Sequence, residues 1–133
     1  MDTLRAVILS RLHVMAQYAK NVTIPVFKQQ LHEADHPYRC LLKQVRGTLL
    51  REESRIDDVA RSRLQSVLSQ SEALETVYEF RRRIQKLWSR RAYANHEKLL
   101  QGLQEWCQQA EATGVEVLRE FARHLRGYSL QTV

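Results

Sequence analysis

Hydrophobic residues recur along the start of this chain at spacings of three and four, which is the pattern of an amphipathic helix. Thr3 can cap this helix, because its hydroxyl can accept a hydrogen bond from the first turn. The helix is predicted to end near Asn21, and a kink or break is expected where Thr23 and Ile24 precede Pro25. The residues predicted on its inner face are Leu4, Val7, Ile8, Leu12, Met15, Ala19 and Val22.

Shorter helices are predicted in the middle of the chain. One ends at Asp35–His36, because Pro37 disfavours the helical conformation in the residue before it and suits the first turn of the next helix. Residues 47–54 do not distinguish a helix break from a continuous helix. Ser54 begins a sequence that resembles a capping box, which predicts a helix over about 55–69. The helix that begins at Pro37 has Leu41, Leu42, Val45 and Leu49 as its inner residues. The helix over about 55–69 has Val59, Leu64, Val67 and Leu68.

Three further helices are predicted in the second half. Ser71 opens the first, Asn95 caps the second, and Gly114 is predicted to end the second in a left-handed conformation. Gly127 closes the last helix. Their inner residues are Leu74, Val77, Tyr78, Ile84, Leu87 and Trp88, then Leu99, Leu103, Trp106, Cys107 and Ala110, and finally Val115, Leu118, Phe121, Ala122 and Leu125.

Length and composition agree with this pattern. The chain has 133 residues, which suits one domain, and its 4 glycines and 2 prolines argue against a tightly turned β architecture. We therefore predict an all-α fold of five to seven helices, with an antiparallel helical bundle in the C-terminal half. A single helical domain is predicted over 1–133. An N-terminal helical arm over 1–36, preceding a bundle over 37–133, is the alternative arrangement.

The chain is basic. It has 21 Lys and Arg against 15 Asp and Glu, a formal net charge of +6, and 16 of the basic residues are arginine. Such a surface attracts nucleic acid, an anionic membrane surface or an acidic partner, although it also serves solubility alone. The candidate contacts with an anionic surface are Arg81, Arg82, Arg83, Arg90 and Arg91. A further row of arginines at helical spacing consists of Arg119, Arg123 and Arg126.

The cysteines and the hydropathy pattern indicate the cellular compartment in which the protein is expected. Cys40 and Cys107 lie far apart in the sequence, and both are predicted to be reduced, buried thiols in a cytosolic setting. No apolar run approaches the roughly 18 residues of a membrane span, and Asp2 and Arg5 argue against a signal peptide. The chain is therefore predicted to be soluble and cytoplasmic.

Residues 32–36 read HEADH, which has the spacing of zinc peptidases and of some iron-binding histidine pairs. A zinc site would need both imidazoles on one continuous helix, a third ligand and a glutamate that polarises water. Because His36 precedes Pro37, the helix is predicted to end at the second ligand. We therefore reject His32, Glu33 and His36 as a metal site.

No other catalytic motif is present in the sequence. His13, His96 and His124 stand alone on predicted helices, without a Ser, Cys or carboxylate arrangement beside them. There is no P-loop, GxGxxG, CxxC or GxSxG motif. No catalytic residue, cofactor-binding residue or metal ligand is predicted in this chain.

The order of residues at both ends of the chain resembles the soluble C-terminal region of bacterial membrane acyl-CoA desaturases. At the start, the resemblance is carried by residues 2–5 and 11–19, Val22 and residues 25–26. Near the end, it is carried by residues 87–88, 99–100, 103–107, 110–114, Leu118, 121–123 and 125–128. The resemblance implies a non-catalytic cytosolic helical module of a di-iron fatty acid desaturase, which acts in docking, oligomerisation or regulation.

The same resemblance implies particular partners and cofactors. The parent enzymes hold two irons with histidine boxes, but this chain has five histidines and no adjacent pair, so no cofactor is expected in it. The implied partners are the desaturase catalytic body or a second copy. An anionic membrane surface at the cytoplasmic face of the inner membrane is a further candidate, and nucleic acid is less favoured.

A second resemblance involves the C-terminal segment. Residues 103–106, 110–114 and 121–122 are similar to the helical C-terminal part of insertion-sequence transposases, which have a three-carboxylate catalytic core. The carboxylates Asp2, Asp35, Asp57 and Asp58 do not show the pattern of such a core. The alternative function is therefore a nucleic-acid-associated helical module without catalytic residues.

Overall fold

The computed structural model describes residues 11–89 and 96–127, without the side chains of Ser89 and His96. These residues form helices and no strand, which confirms the predicted all-α class. The α-helices are α1 (Arg11–Tyr18), α2 (Ile24–Glu33), α3 (His36–Val45), α4 (Asp58–Leu68), α5 (Glu72–Ser89), α6 (His96–Glu111) and α7 (Glu116–Leu125). A π-helical turn (Ala19–Thr23) joins α1 to α2, and 3-10 turns (Thr48–Leu50 and Glu53–Arg55) lie between α3 and α4.

The helix does not break before Pro25, so the predicted break at Thr23–Ile24 is wrong, and a π-helical turn lies there instead. Thr23 and Ile24 both have right-handed helical backbone angles, and the backbone N–H of Ile24 donates to the carbonyl oxygen of Ala19. This bond spans five residues, as in a π-helix. The wider turn carries the helix past a proline that has no N–H to donate, because the bonding register shifts by one residue.

The buried face of α1 and α2 agrees with the predicted one at Val22 and differs from it at Leu12, and the predicted Leu4, Val7 and Ile8 lie outside the described residues. Val14, Tyr18, Val22 and Val26 are buried, whereas Leu12 is 86% exposed. This stripe places Tyr18 against α5, where its hydroxyl donates to the carbonyl oxygen of Val77 at 2.5 Å. Burial without a partner would have cost the hydroxyl its hydrogen bonds to water, so a partner is required at this position.

Four aromatic side chains from four helices meet in the core. Tyr18 of α1 contacts Trp106 of α6 and Phe121 of α7 edge-to-face, with ring centroids 6.1 and 5.2 Å apart. Phe80 of α5 meets Trp106 in the same geometry at 5.9 Å, and the Trp106 indole N–H donates to the carbonyl oxygen of Phe80 at 2.9 Å. The N-terminal helices therefore pack against α5 and α7.

The start of α4 was predicted one turn too early. Asp57, and not Ser54, caps the helix, because its carboxylate accepts from the backbone N–H of Ala60 at 2.8 Å. Val59 was predicted to be buried but is 61% exposed, and the buried residue at this end is Ile56. Residues 53–55 form a 3-10 turn that brings Ile56 into the core before α4 begins.

In the second half, the Ser71 hydroxyl accepts from the backbone N–H of Leu74 at 3.2 Å and so caps α5 as predicted. Gly114 does not have a positive φ, so the predicted left-handed stop is wrong. Instead, α6 ends in turns in which the backbone N–H groups of Ala112 and Thr113 donate to the carbonyl oxygens of Gln109 and Ala110, both at 3.2 Å. The predicted caps Thr3 and Asn95 lie outside the described residues.

The two cysteines have different environments. Cys107 is buried, and burial raises the pKa of its thiol to about 12. Cys40 is exposed on α3, so the prediction that both thiols are buried is wrong for this residue. None of the helices within 11–89 and 96–127 is long and apolar enough to cross a lipid bilayer.

Candidate nucleic-acid interface

The HEADH residues are divided between two helices. His32 and Glu33 end α2, whereas His36 begins α3, and the Asp35 carboxylate between them accepts from the backbone N–H of Tyr38 at 3.0 Å. The Glu33 carboxylate faces Gln29, at 3.5 Å from its amide nitrogen. The motif therefore lies across a helix boundary, with its fourth residue, Asp35, serving as an N-cap.

Arg81, the first of the predicted anionic-surface contacts, is buried. Its guanidinium donates to the carbonyl oxygens of Leu50 and Arg51 at 2.7 and 3.0 Å, and burial lowers its pKa. These carbonyls belong to the 3-10 turn after α3 and have no helical partner of their own. Arg81 thus ties this turn to α5, and its buried charge is not available to an anionic surface.

Arg82 and Arg83 are already engaged with carboxylates. The Arg82 guanidinium lies 2.8 Å from Glu53 and 3.1 Å from Glu79. Arg83 lies 3.4 Å from Glu79, and its guanidinium carbon is 4.8 Å from the centre of the Phe80 ring. Arg90 and Arg91, the remaining predicted contacts, lie outside the described residues.

The arginine row of α7 is neutralised in part. Arg119 pairs with Glu116 at 3.3 Å, and Arg126 pairs with Glu111 at 2.8 Å. Arg123 is exposed. The spacing of arginines along a helix was therefore a poor indicator of free positive charge, because it ignores the glutamates that the fold places beside them.

A different basic surface lies on the hairpin that α3 and α4 form. The two helices pack against each other and run antiparallel, since the Tyr38 hydroxyl at the start of α3 donates to the Val67 carbonyl oxygen near the end of α4 at 2.9 Å. Two stretches of this hairpin, residues 36–51 and 59–71, contain six basic residues and no Asp or Glu. The absence of acidic residues from these two stretches is visible in the sequence, but the prediction considered only clusters and rows of arginine.

The exposed basic side chains of the hairpin and its connecting segment include Lys43, Arg46, Arg55 and Arg63. Among the ion pairs that the described residues form, none involves these four side chains. Three of the nearby acidic residues are engaged, since Glu52 pairs with Arg11, Glu53 pairs with Arg82, and Asp57 caps α4. Asp58, the first residue of α4, is exposed and is the acidic residue that remains on the hairpin. Apart from Asp58, the two helices of the hairpin have no acidic residue, so positive charge predominates on this surface.

Comparison with known proteins now identifies the chain. The DDE-type ISL3 transposases match it over residues 5–132. The chain belongs to this family of transposases. It is also 34% identical over 120 residues to the transposase for insertion sequence element IS1001 from Bordetella parapertussis. This similarity covers 87% of the chain and 28% of the relative's length, and no solved structure matches the chain.

The family match overturns the predicted desaturase function. Nothing in the comparisons supports a desaturase module, a role in lipid metabolism or a desaturase catalytic body as partner, whereas the weaker of the two resemblances agrees with them. The desaturase resemblance rested on residues that build helices, and amphipathic helices with similar spacing occur in unrelated proteins. The reason for placing the chain at the inner membrane disappears with it.

DDE-type enzymes have a catalytic core of three acidic residues. Asp35 and Asp57 cap different helices, and within 11–89 and 96–127 no three His, Cys, Asp or Glu side chains lie together as metal ligands. The acidic residues that the structure describes therefore do not fit a metal-binding core. We therefore assign no catalytic step to them.

Proposed function

We propose that this chain is a helical region of an insertion-sequence transposase that binds DNA, in support of catalytic residues located elsewhere in the protein. The family match over residues 5–132 is the observation that carries the proposal, since DNA is the substrate of transposition. The chain spans only 28% of the length of the IS1001 transposase, which leaves ample sequence in such a protein for a catalytic core.

The electrostatics of the chain support the same proposal. Its formal charge of +6 suits a polyanionic partner, and several of its basic side chains are exposed without an ion pair to another described residue. Duplex DNA carries a dense array of phosphates with condensed counterions, and basic side chains that bind phosphates release those counterions. Binding should therefore weaken steeply as salt is added.

The proposal is tested with the purified chain and a fluorescently labelled DNA duplex of about 20 base pairs. Anisotropy is measured at rising KCl concentrations from about 50 to 200 mM. We expect a dissociation constant in the micromolar range at low salt and a linear increase of its logarithm with the logarithm of salt concentration. Sedimentation with anionic liposomes serves as the comparison. Binding to liposomes but not to DNA would contradict the proposal, as would affinity for neither.

A further inference from the structure

Two groups can be distinguished among the basic residues within 11–89 and 96–127. In the first group, Arg82, Arg83, Arg119 and Arg126 each lie within 3.4 Å of a carboxylate oxygen. An anion that approached these side chains would have to compete with a carboxylate that is held in place by the fold. The second group has no such competitor and includes four cations of the α3–α4 hairpin.

We infer that Lys43, Arg46, Arg55 and Arg63 on the α3–α4 hairpin form the surface that binds the phosphate backbone of duplex DNA. This inference rests on the proposed function and deepens it, because it places the contact on the hairpin and not on the arginines of α5 or α7. Serine hydroxyls at Ser62 and Ser66 are exposed on α4 and add neutral hydrogen-bond donors for phosphate oxygens.

The hairpin presents these cations on a fixed scaffold. Both of its helices begin with an aspartate cap, and the Tyr38 hydroxyl links them through Val67. Arg39 joins the hairpin to α2, because its guanidinium donates to the carbonyl oxygens of Leu31 and Ala34, both at 3.3 Å. Ordered helices reduce the entropy that is lost when several side chains engage phosphates together.

The surface is suited to the DNA backbone and not to base readout. The one aromatic side chain of α3, Tyr38, is half-buried, and its hydroxyl is bonded within the protein. Sequence is read by side chains that reach base edges, whereas lysine and arginine contacts with phosphates carry no sequence information. The structure assigns the hairpin a sequence-independent contact.

The test compares two charge-matched variants of the whole chain. The hairpin variant carries Lys43→Gln, Arg46→Gln and Arg63→Gln. The control variant carries Lys20→Gln, Lys98→Gln and Arg123→Gln, which removes the same charge from exposed positions on other elements. All six residues are exposed, so both variants should retain the helical circular dichroism of the parent chain.

Removal of three phosphate contacts should lower the salt slope of DNA binding by about 2 to 3 units, since each contact contributes about 0.9. We expect this decrease of the slope in the hairpin variant, together with at least a tenfold loss of affinity near 50 mM KCl. In the control variant we expect the slope to fall by less than one unit. A charge-retaining variant (Lys43→Arg, Arg46→Lys and Arg63→Lys) should keep the slope of the parent chain.

The possible outcomes separate the two proposals. Equal weakening of the hairpin and control variants would show that net charge alone determines binding, and it would overturn the inference while DNA binding stands. Complete absence of DNA binding by the parent chain would overturn both. Two duplexes of unrelated sequence should bind within about twofold of each other, and a preference above tenfold would contradict backbone contact.

Discussion

Single side chains connect distant parts of this molecule, and Tyr18 shows how. Its ring packs edge-to-face against Trp106 and Phe121, and its hydroxyl donates to the carbonyl oxygen of Val77. Burial raises the pKa of this phenol, although Arg81 nearby acts in the opposite direction. The folded state therefore requires a neutral Tyr18, which couples its stability to alkaline pH.

Replacement of Tyr18 by Phe should expose this coupling. At pH 7 we expect the free energy of unfolding to fall by about 1 kcal/mol, because the bond to Val77 is lost. The folded pKa lies above the ordinary value of 10.0, so the phenol's contribution is complete below pH 10 and is lost as the pH rises further. Urea denaturation at pH 7 and near pH 11 measures both free energies.

The difference in stability between the parent chain and Tyr18→Phe should therefore shrink at the higher pH. Other groups that titrate in this range, such as the buried thiol of Cys107, are present in both proteins and cancel in the comparison. A constant difference at both pH values would show that the hydroxyl does not titrate differently in the folded and unfolded states.

Individual helices of the chain begin where a polar side chain satisfies the first backbone N–H groups. Asp35, Asp57 and Ser71 do so for α3, α4 and α5. The connection between α1 and α2 is different, since a π-helical turn carries the backbone past Pro25 without a new cap. The start of a helix is thus determined by the few residues around its cap. A second possible cap one turn away, such as Ser54 before Asp57, can lead to a wrong predicted start.

The start of α4 can be tested with two alanine substitutions. Asp57→Ala should lower the free energy of unfolding by about 1 kcal/mol, because the N–H of Ala60 loses its acceptor. Ser54→Ala should change it by less than about 0.5 kcal/mol, since this residue is exposed and lies outside the helix. Thermal or urea unfolding followed by circular dichroism provides the values. Asp57→Ser should restore most of the loss, and a larger effect at Ser54 would place the cap there.

The whole molecule combines one aromatic core with an uneven distribution of free positive charge. Tyr18, Phe80, Trp106 and Phe121 bring together α1, α5, α6 and α7. Arg81 of α5 ties the turn after α3 to this core, and the Tyr38 hydroxyl joins the two helices of the hairpin to each other. Among the described residues, most ion pairs involve α5 and the segment around α7, whereas Lys43, Arg46, Arg55 and Arg63 of the hairpin form none.

A shared core predicts cooperative unfolding of the chain. In a Trp88→Phe variant, Trp106 becomes the single fluorescent reporter of the aromatic core, because the chain has 2 tryptophans. We expect its fluorescence and the far-ultraviolet circular dichroism to give coincident urea transitions, as for a single domain. Loss of helical signal ahead of the fluorescence change would instead indicate a separately unfolding N-terminal arm.

Much of the fold could be predicted from the sequence, whereas the site could not. The inner residues of α5, α6 and α7 were largely correct because each face is defined by residues within a few turns. Leu12 and Val59 were assigned to the wrong side, since an apolar residue in a helix pattern does not reveal which of two neighbouring stripes meets the core. The arginine cluster at 81–83 was chosen for its density, without knowledge of Glu53 and Glu79 beside it.

The sequence by itself determined the all-α class, the cap of α5 at Ser71 and the basic charge, and comparison of the whole sequence showed membership of a transposase family. These properties depend on neighbouring residues or on the order of residues, so they can be read without contacts. The tertiary structure alone decided which cations remain free and which side chains are buried. Tyr18 meets Val77 across 59 residues of sequence and Arg81 meets Leu50 across 31, and only the packed helices bring such groups together.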